Sequence, residues 1–155
     1  MSGQERQPGS RIVVGVDGSP SSIGALRWAI GQAELTSAAV EAVIAWHYPI
    51  ATGGYGWAPT GMATSIDFKE NAGKVLAEAI SAACGPGSSV PVHPRVDEGN
   101  PAQVLLDASD GAHLLVVGSR GHGGFTEALL GSVSQHCVHH ARCPVVVIRG
   151  QERDA

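Results

Sequence analysis

Residues 11–46 read RIVVGVDGSPSSIGALRWAIGQAELTSAAVEAVIAW. Two short runs rich in valine and isoleucine, 11–17 and 40–46, frame this stretch. Neither alternates strictly between polar and apolar, the pattern of strands buried on both faces of a parallel sheet. Between them, Ser19 supplies a helix cap and Pro20 sits at the first helical position. Ile23, Leu26, Ala29, Ile30 and Ala33 then recur at helical spacing to about Leu35. The stretch therefore predicts strand, helix, strand.

The alternation continues along the chain. Residues 47–65 lose all periodicity and fill with glycine, proline and aromatics, which reads as a long loop of the functional or mobile kind. A helix follows over 66–83, with Val75, Leu76, Ala79 and Ile80 as its apolar stripe, and Gly85, Pro86 and Gly87 stop it. Residues 90–96 form a weaker strand containing Pro91 and Pro94, so they belong at a sheet edge. Asn100 and Pro101 start a helix running to about Ser109 or Gly111; 113–118 (HLLVVG) is a buried strand, 132–141 a helix and 145–149 (VVVIR) the last strand. Five strands joined by single helices demand an α/β fold, an open and mostly parallel sheet with helices on both faces. The expected order is 3-2-1-4-5, with a switch point between the first and fourth strands. One domain is expected over 11–150, flanked by a disordered tail at 1–10 and a charged tail at 151–155.

Composition narrows the partners. The 155 residues carry a formal charge of −4, which disfavours a nucleic-acid surface. Hydrophobic residues at 43% and charged residues at 15% fit a globular chain with its own core. The two lysines are Lys69 and Lys74, so a phosphate site must use backbone amides, arginine or a metal. Cys84, Cys137 and Cys143 do not make a disulfide framework, and no apolar run is long enough for a signal peptide or a membrane span. A soluble, cytoplasmic protein is expected.

Ligands of such sheets bind beyond the carboxyl ends of the strands, at the switch point. The first strand ends in Gly15-Val16-Asp17-Gly18-Ser19 and the fourth in Gly118-Ser119-Arg120-Gly121-His122-Gly123-Gly124. Gly131, Ser132, Val133 and Ser134 then open the fourth helix. Glycines let a backbone approach an anion, and a helix amino terminus adds unpaired N–H groups and a favourable dipole. Ser132 and Ser134 can donate hydroxyl hydrogen bonds, Arg120 can supply charge, and Asp17 faces a ribose, an adenine amino group or a metal. The plainer alternative is that these glycines only make tight turns and Asp17 only caps a helix. Neither G-x-x-x-x-G-K-[ST] nor a G-x-G-x-x-G after the first strand is present.

Gly118-x-x-Gly121, nine residues, then Gly131-Ser132 resembles the signature of the ATP-binding branch of the universal stress protein family. The resemblance extends from IVVGVDGS to CPVVVIR, and it implies that family's adenine nucleotide alpha hydrolase-like fold. It implies that Val16 and Asp17 line the adenosine pocket and that Trp46, bulkier than the aliphatics common there, offers its backbone to adenine. Val117 and Gly118 would lie against base and ribose. Ser119, Arg120, Gly121 and His122, with Gly131, Ser132, Val133 and Ser134, would wrap the phosphates of ATP, with Mg²⁺ or Mn²⁺. It further implies a homodimer through the last strand, with Val145 and Arg149 at its ends.

His136, Cys137, His139, His140 and Cys143 cluster near the fourth helix. His136 and His140, four apart, could share a face and hold a metal; the simpler reading is that imidazoles and Arg142 complement the helix dipole and Cys137 packs as a small hydrophobe. His122 lacks a visible orienting partner for acid chemistry, and no G-x-S-x-G elbow supports hydrolysis. Trp46, Tyr48, Tyr55 and Trp57 form either a lid or an anchor for the long loop. An ATP-binding stress regulator without catalysis is therefore the expected function, with a cyclic AMP binder, a slow ATPase or phosphotransferase and a pure interaction module as alternatives.

Overall fold

Two helices begin where proline and a short polar side chain coincide. Ser19 Oγ accepts the Ser22 N–H at 3.2 Å, and Asn100 Oδ1 accepts the Gln103 N–H at 3.2 Å, each one residue before a proline. These caps replace orphan backbone partners that helix ends otherwise lack. The computed structural model describes residues 10–47, 65–119 and 130–149. In chain order the elements are β1 (Arg11–Gly15), α1 (Pro20–Thr36), β2 (Ala39–Trp46), α2 (Ser65–Ala83) and β3 (Val92–Glu98). They continue with α3 (Pro101–Ser109), β4 (Leu114–Gly118), α4 (Ser132–His140) and β5 (Val145–Ile148).

The five strands form one parallel sheet in the order β3-β2-β1-β4-β5, as the alternation predicts. Its faces divide by residue parity. Ile12, Val14, Val40, Ala42, Ile44 and Val116 meet α1 and α2 through Leu26, Ala29, Leu76 and Ala79. Val13, Val43, Leu115 and Val117 meet α3 and α4 through Val104, Leu105, Ala108 and Cys137. Each fully buried valine or leucine contributes about 1.5–3 kcal/mol relative to exposure, so this double layer dominates stability.

Two strands differ from the sequence reading by two residues. β1 ends at Gly15, not at 17, because Asp17 and Gly18 turn the chain; Gly18 has φ +84°. β3 starts at Val92 and ends at Glu98, two residues later than expected at both ends. It is the edge strand that its prolines predict, and Pro94 sits opposite Ala42 with its other side unpaired. Charges across the sheet account for its weak apolar pattern. Glu41 on β2 receives Arg11 at 3.0 Å and Arg95 at 3.4 Å, and Arg95 also reaches Asp97 at 2.8 Å. Arg11 additionally donates to the carbonyls of Ala108 and Asp110, at 2.9 and 3.0 Å, and closes the end of α3.

Glycine positions give a direct stability test. A methyl group at Gly31 or Gly73 would meet nothing within 4 Å, whereas one at Gly15 would lie 2.6 Å from Leu105 Cδ1. Gly31→Ala and Gly73→Ala should each raise the unfolding free energy by up to about 1 kcal/mol in urea titrations, since both sit inside helices. Gly15→Ala should lower it by about 1–3 kcal/mol through overpacking.

Candidate functional site

The two strand ends at the switch point are built differently. After β1, Asp17 Oδ1 accepts the Ser19 N–H at 2.9 Å, and the Asp17 N–H donates to Ser22 Oγ at 3.2 Å. Ser22 Oγ in turn donates to the Ser19 carbonyl at 3.1 Å. Asp17 thus has one carboxylate oxygen engaged in holding the turn that leads into α1. Val16 is buried and its N–H donates to the Val43 carbonyl at 2.9 Å, which ties the turn to β2.

After β4 the chain is clasped. Ser119 N–H donates to the Ile148 carbonyl at 2.8 Å, extending the pairing with β5. The Ser119 carbonyl accepts the Gly131 N–H at 2.6 Å and the Ser134 hydroxyl at 3.2 Å. Gly131 and Ser119 are twelve positions apart, yet these bonds set the start of α4 against the end of β4. Ser134 is buried, and its hydroxyl also lies 3.2 Å from the Gly131 carbonyl. Its hydrogen serves the fold, so the Ser134 hydroxyl braces the turn.

The amino end of α4 is left open. Gly131 has φ −71° and ψ 167° and provides no side-chain cap. Among the described residues nothing accepts from the N–H groups of Ser132, Val133 and Ser134, the first intrahelical acceptor being Gly131 for Gln135. By contrast, α1 and α3 carry a side-chain cap and a proline at the first position. Three free N–H groups with the positive end of the dipole fit an anionic oxygen.

Gly118 has a second task that the sequence did not reveal. A Cβ there would overlap Ser21 Oγ and approach the Ser21 backbone carbon and oxygen at 2.8 and 2.9 Å. The glycine lets the first turn of α1 pack on the end of β4. Ser21 Oγ is buried at this contact without a hydrogen-bond partner, an unspent polar group beside the crevice. Val117 is buried behind it. The Trp46 carbonyl accepts the Gly99 N–H at 2.8 Å, so this part of its backbone is directed to the turn after β3. Arg120, Gly121, His122, Tyr48, Tyr55 and Trp57 lie outside the described residues, so the arginine and histidine expected at the phosphates are not placed.

Other candidates fall away from the crevice. An open groove of about 730 Å³ sits at the amino ends of the strands, between Ser10, Ala38, Val90 and Pro91. Glu34 and Glu41 on its wall oppose a phosphate, and parallel sheets bind ligands at the other end. No group of three metal-ligating side chains occurs among the described residues, and none of the described helices is long and apolar enough to cross a membrane. Cys84, Cys137 and Cys143 are free thiols. Cys137 is wholly buried, as its small apolar reading predicts, and burial pushes its thiol up to about 11.

Residues 9–149 match the profile of the Universal stress protein family. A universal stress protein of Mycolicibacterium smegmatis is 37% identical over 150 residues, covering 93% of this chain. The chain belongs to the universal stress protein family. Universal stress protein Rv1996 of Mycobacterium tuberculosis is likewise 37% identical, over 146 residues and 93% of this chain. The chain spans 49% and 45% of the lengths of these two relatives. Among solved structures, a universal stress protein in complex with cAMP superposes with a TM-score of 0.67 at 24% identity, covering 92% of this chain and 98% of that one. An Arabidopsis thaliana universal stress protein family protein with AMP bound gives 0.59 at 22% identity, covering 92% of each. Both likenesses are of the fold.

The clasp and the close approach make separable contributions to this universal stress protein. Gly118→Ala should cost about 1–3 kcal/mol in urea unfolding, because Ser21 backbone must move. Ser134→Ala should cost only about 1 kcal/mol, since the Ser119 and Gly131 carbonyls keep their N–H partners.

Proposed function

We propose that this universal stress protein binds ATP at the carboxyl ends of β1 and β4 and acts as a nucleotide-dependent regulator of a stress response, with little or no turnover. One observation carries the reading: three N–H groups at the start of α4, unpartnered among the described residues, stand beside a strand end that tolerates no Cβ. In this reading Val16, Asp17, Val117 and Gly118 hold the adenosine, with Trp46 contributing backbone. Ser119, Arg120, Gly121 and His122, together with Gly131, Ser132, Val133 and Ser134, surround the phosphates. Mg²⁺ or Mn²⁺, when bound with the nucleotide, would neutralise phosphate charge.

Three points support binding over catalysis. Lys69 and Lys74 both lie on α2, so neither follows the glycine motif as a phosphate-loop lysine does. Asp17 has its Oδ1 occupied by the Ser19 N–H. The G-x-x-G-x9-G-[ST] spacing itself fits a polyphosphate. The domain spans 11–150 in this account, works in the cytoplasm and dimerises through β5, a sheet-edge strand of four apolar, half-buried residues. A cyclic AMP-binding protein is the second reading, favoured by the nucleotide in the solved neighbour.

Calorimetric titration of ATP, ADP, AMP and cyclic AMP, with and without Mg²⁺, tests this. ATP should bind the wild type in the micromolar range, roughly −8 kcal/mol. Gly121→Glu, folded by circular dichroism, should bind at least about tenfold more weakly because a carboxylate enters the phosphate segment. Preference for cyclic AMP would install the second reading, rapid phosphate release would make the protein an enzyme, and no binding would reject the site.

A further inference from the structure

Helix α4 contains a histidine pair that the nucleotide reading leaves unused. His136 and His140 are one turn apart and both exposed, with ring centroids 4.5 Å apart and planes inclined by 37°. Residues at i and i+4 lie on one helical face, so both imidazoles project from the same stripe. His139 is turned away from this pairing, with its ring 6.4 Å from His140 and edge-on. No acidic or basic residue occurs between Ser132 and His140 apart from the histidines, so no ion pair on the helix competes for the rings.

The separation matches a chelate. With metal–nitrogen bonds of about 2.0 Å, two imidazoles in adjacent positions on a square-planar or tetragonal ion hold their ring centres roughly 4.5 Å apart. Tetrahedral ligation spreads them further. Imidazole is a favoured ligand of Cu²⁺ and Ni²⁺, and these ions prefer tetragonal nitrogen and oxygen sets. We infer that His136 and His140 form a two-nitrogen site for a tetragonal divalent ion of the copper(II) or nickel(II) class, with water completing its coordination. The site lies on the last turns of α4, at the opposite end from the free N–H groups, and is independent of nucleotide binding. Two ligands from successive turns also staple the helix, since binding to the folded form alone stabilises it.

Titration of the full chain with CuCl₂, followed by calorimetry and electron paramagnetic resonance, tests the site. The wild type should take up one Cu²⁺ with a tetragonal spectrum split by two nitrogens. His136→Ala and His140→Ala should each bind at least about tenfold more weakly, because loss even of a group that only supports a ligand costs 10–100-fold. His139→Ala should retain wild-type affinity and spectrum. All three positions concerned are exposed helix surface, so circular dichroism should be unchanged throughout. Equal copper affinity in wild type, His136→Ala and His140→Ala would overturn the inference, as would loss of binding only in His139→Ala.

Discussion

The carbonyl oxygen of Ser119 is the constraint on which the crevice depends. It receives the Gly131 N–H at 2.6 Å and the Ser134 hydroxyl at 3.2 Å, while the Ser119 N–H is held by Ile148. A strand end, a helix start and the neighbouring strand therefore meet at one peptide group. Without that meeting, the open amino terminus of α4 would have no fixed relation to the sheet. With it, the free N–H groups stand at the point where the sheet reverses its order, between β1 and β4. The location follows from the alternation of strand and helix, and the precision follows from hydrogen bonds.

The helix termini show how a fold can mark a ligand site by omission. At α1 and α3 the sequence supplies a cap and a proline, so their orphan donors are removed or satisfied internally. At α4 it supplies glycine, then serine, and no described residue accepts from the donors. An uncapped helix end costs about 1 kcal/mol relative to a capped one. In the proposed reading that cost is recovered when a phosphate oxygen accepts from these groups. Gly118 acts by packing, because its lack of a Cβ lets the first turn of α1 approach the end of β4.

Much of the architecture was legible because it rests on local signals. Short β-branched runs, Ser19-Pro20 and Asn100-Pro101 each carry their meaning in a few residues, and together they give the sheet order. The exceptions are contacts between distant positions. Nothing local reveals that Arg11 closes α3, that Glu41 joins two arginines across strands, or that Trp46 gives its carbonyl to Gly99. The shift of β3 has the same origin, since its register is set by pairing with β2 and not by its own weak pattern. Gly118 was visible as a glycine at a strand end, but its contact with Ser21 needed the packed helix. The place of Ser134 in the motif suggests a ligand donor, while its hydroxyl donates to the Ser119 carbonyl in the clasp.

The central claim is that backbone N–H groups at the start of α4 bind the phosphates. Comparing ATP affinity for Ser132→Pro and Ser132→Ala tests it most directly. Proline is well tolerated at a first helical position, and Gly131, with φ −71° and ψ 167°, already has the extended conformation that a following proline requires. Ser132→Pro removes one N–H and leaves the helix, and Ser132→Ala controls for the lost hydroxyl. The account predicts that the proline variant binds ATP about tenfold more weakly than the alanine variant, the loss of one hydrogen bond to a charged group. Equal affinities would contradict it and place the phosphates elsewhere.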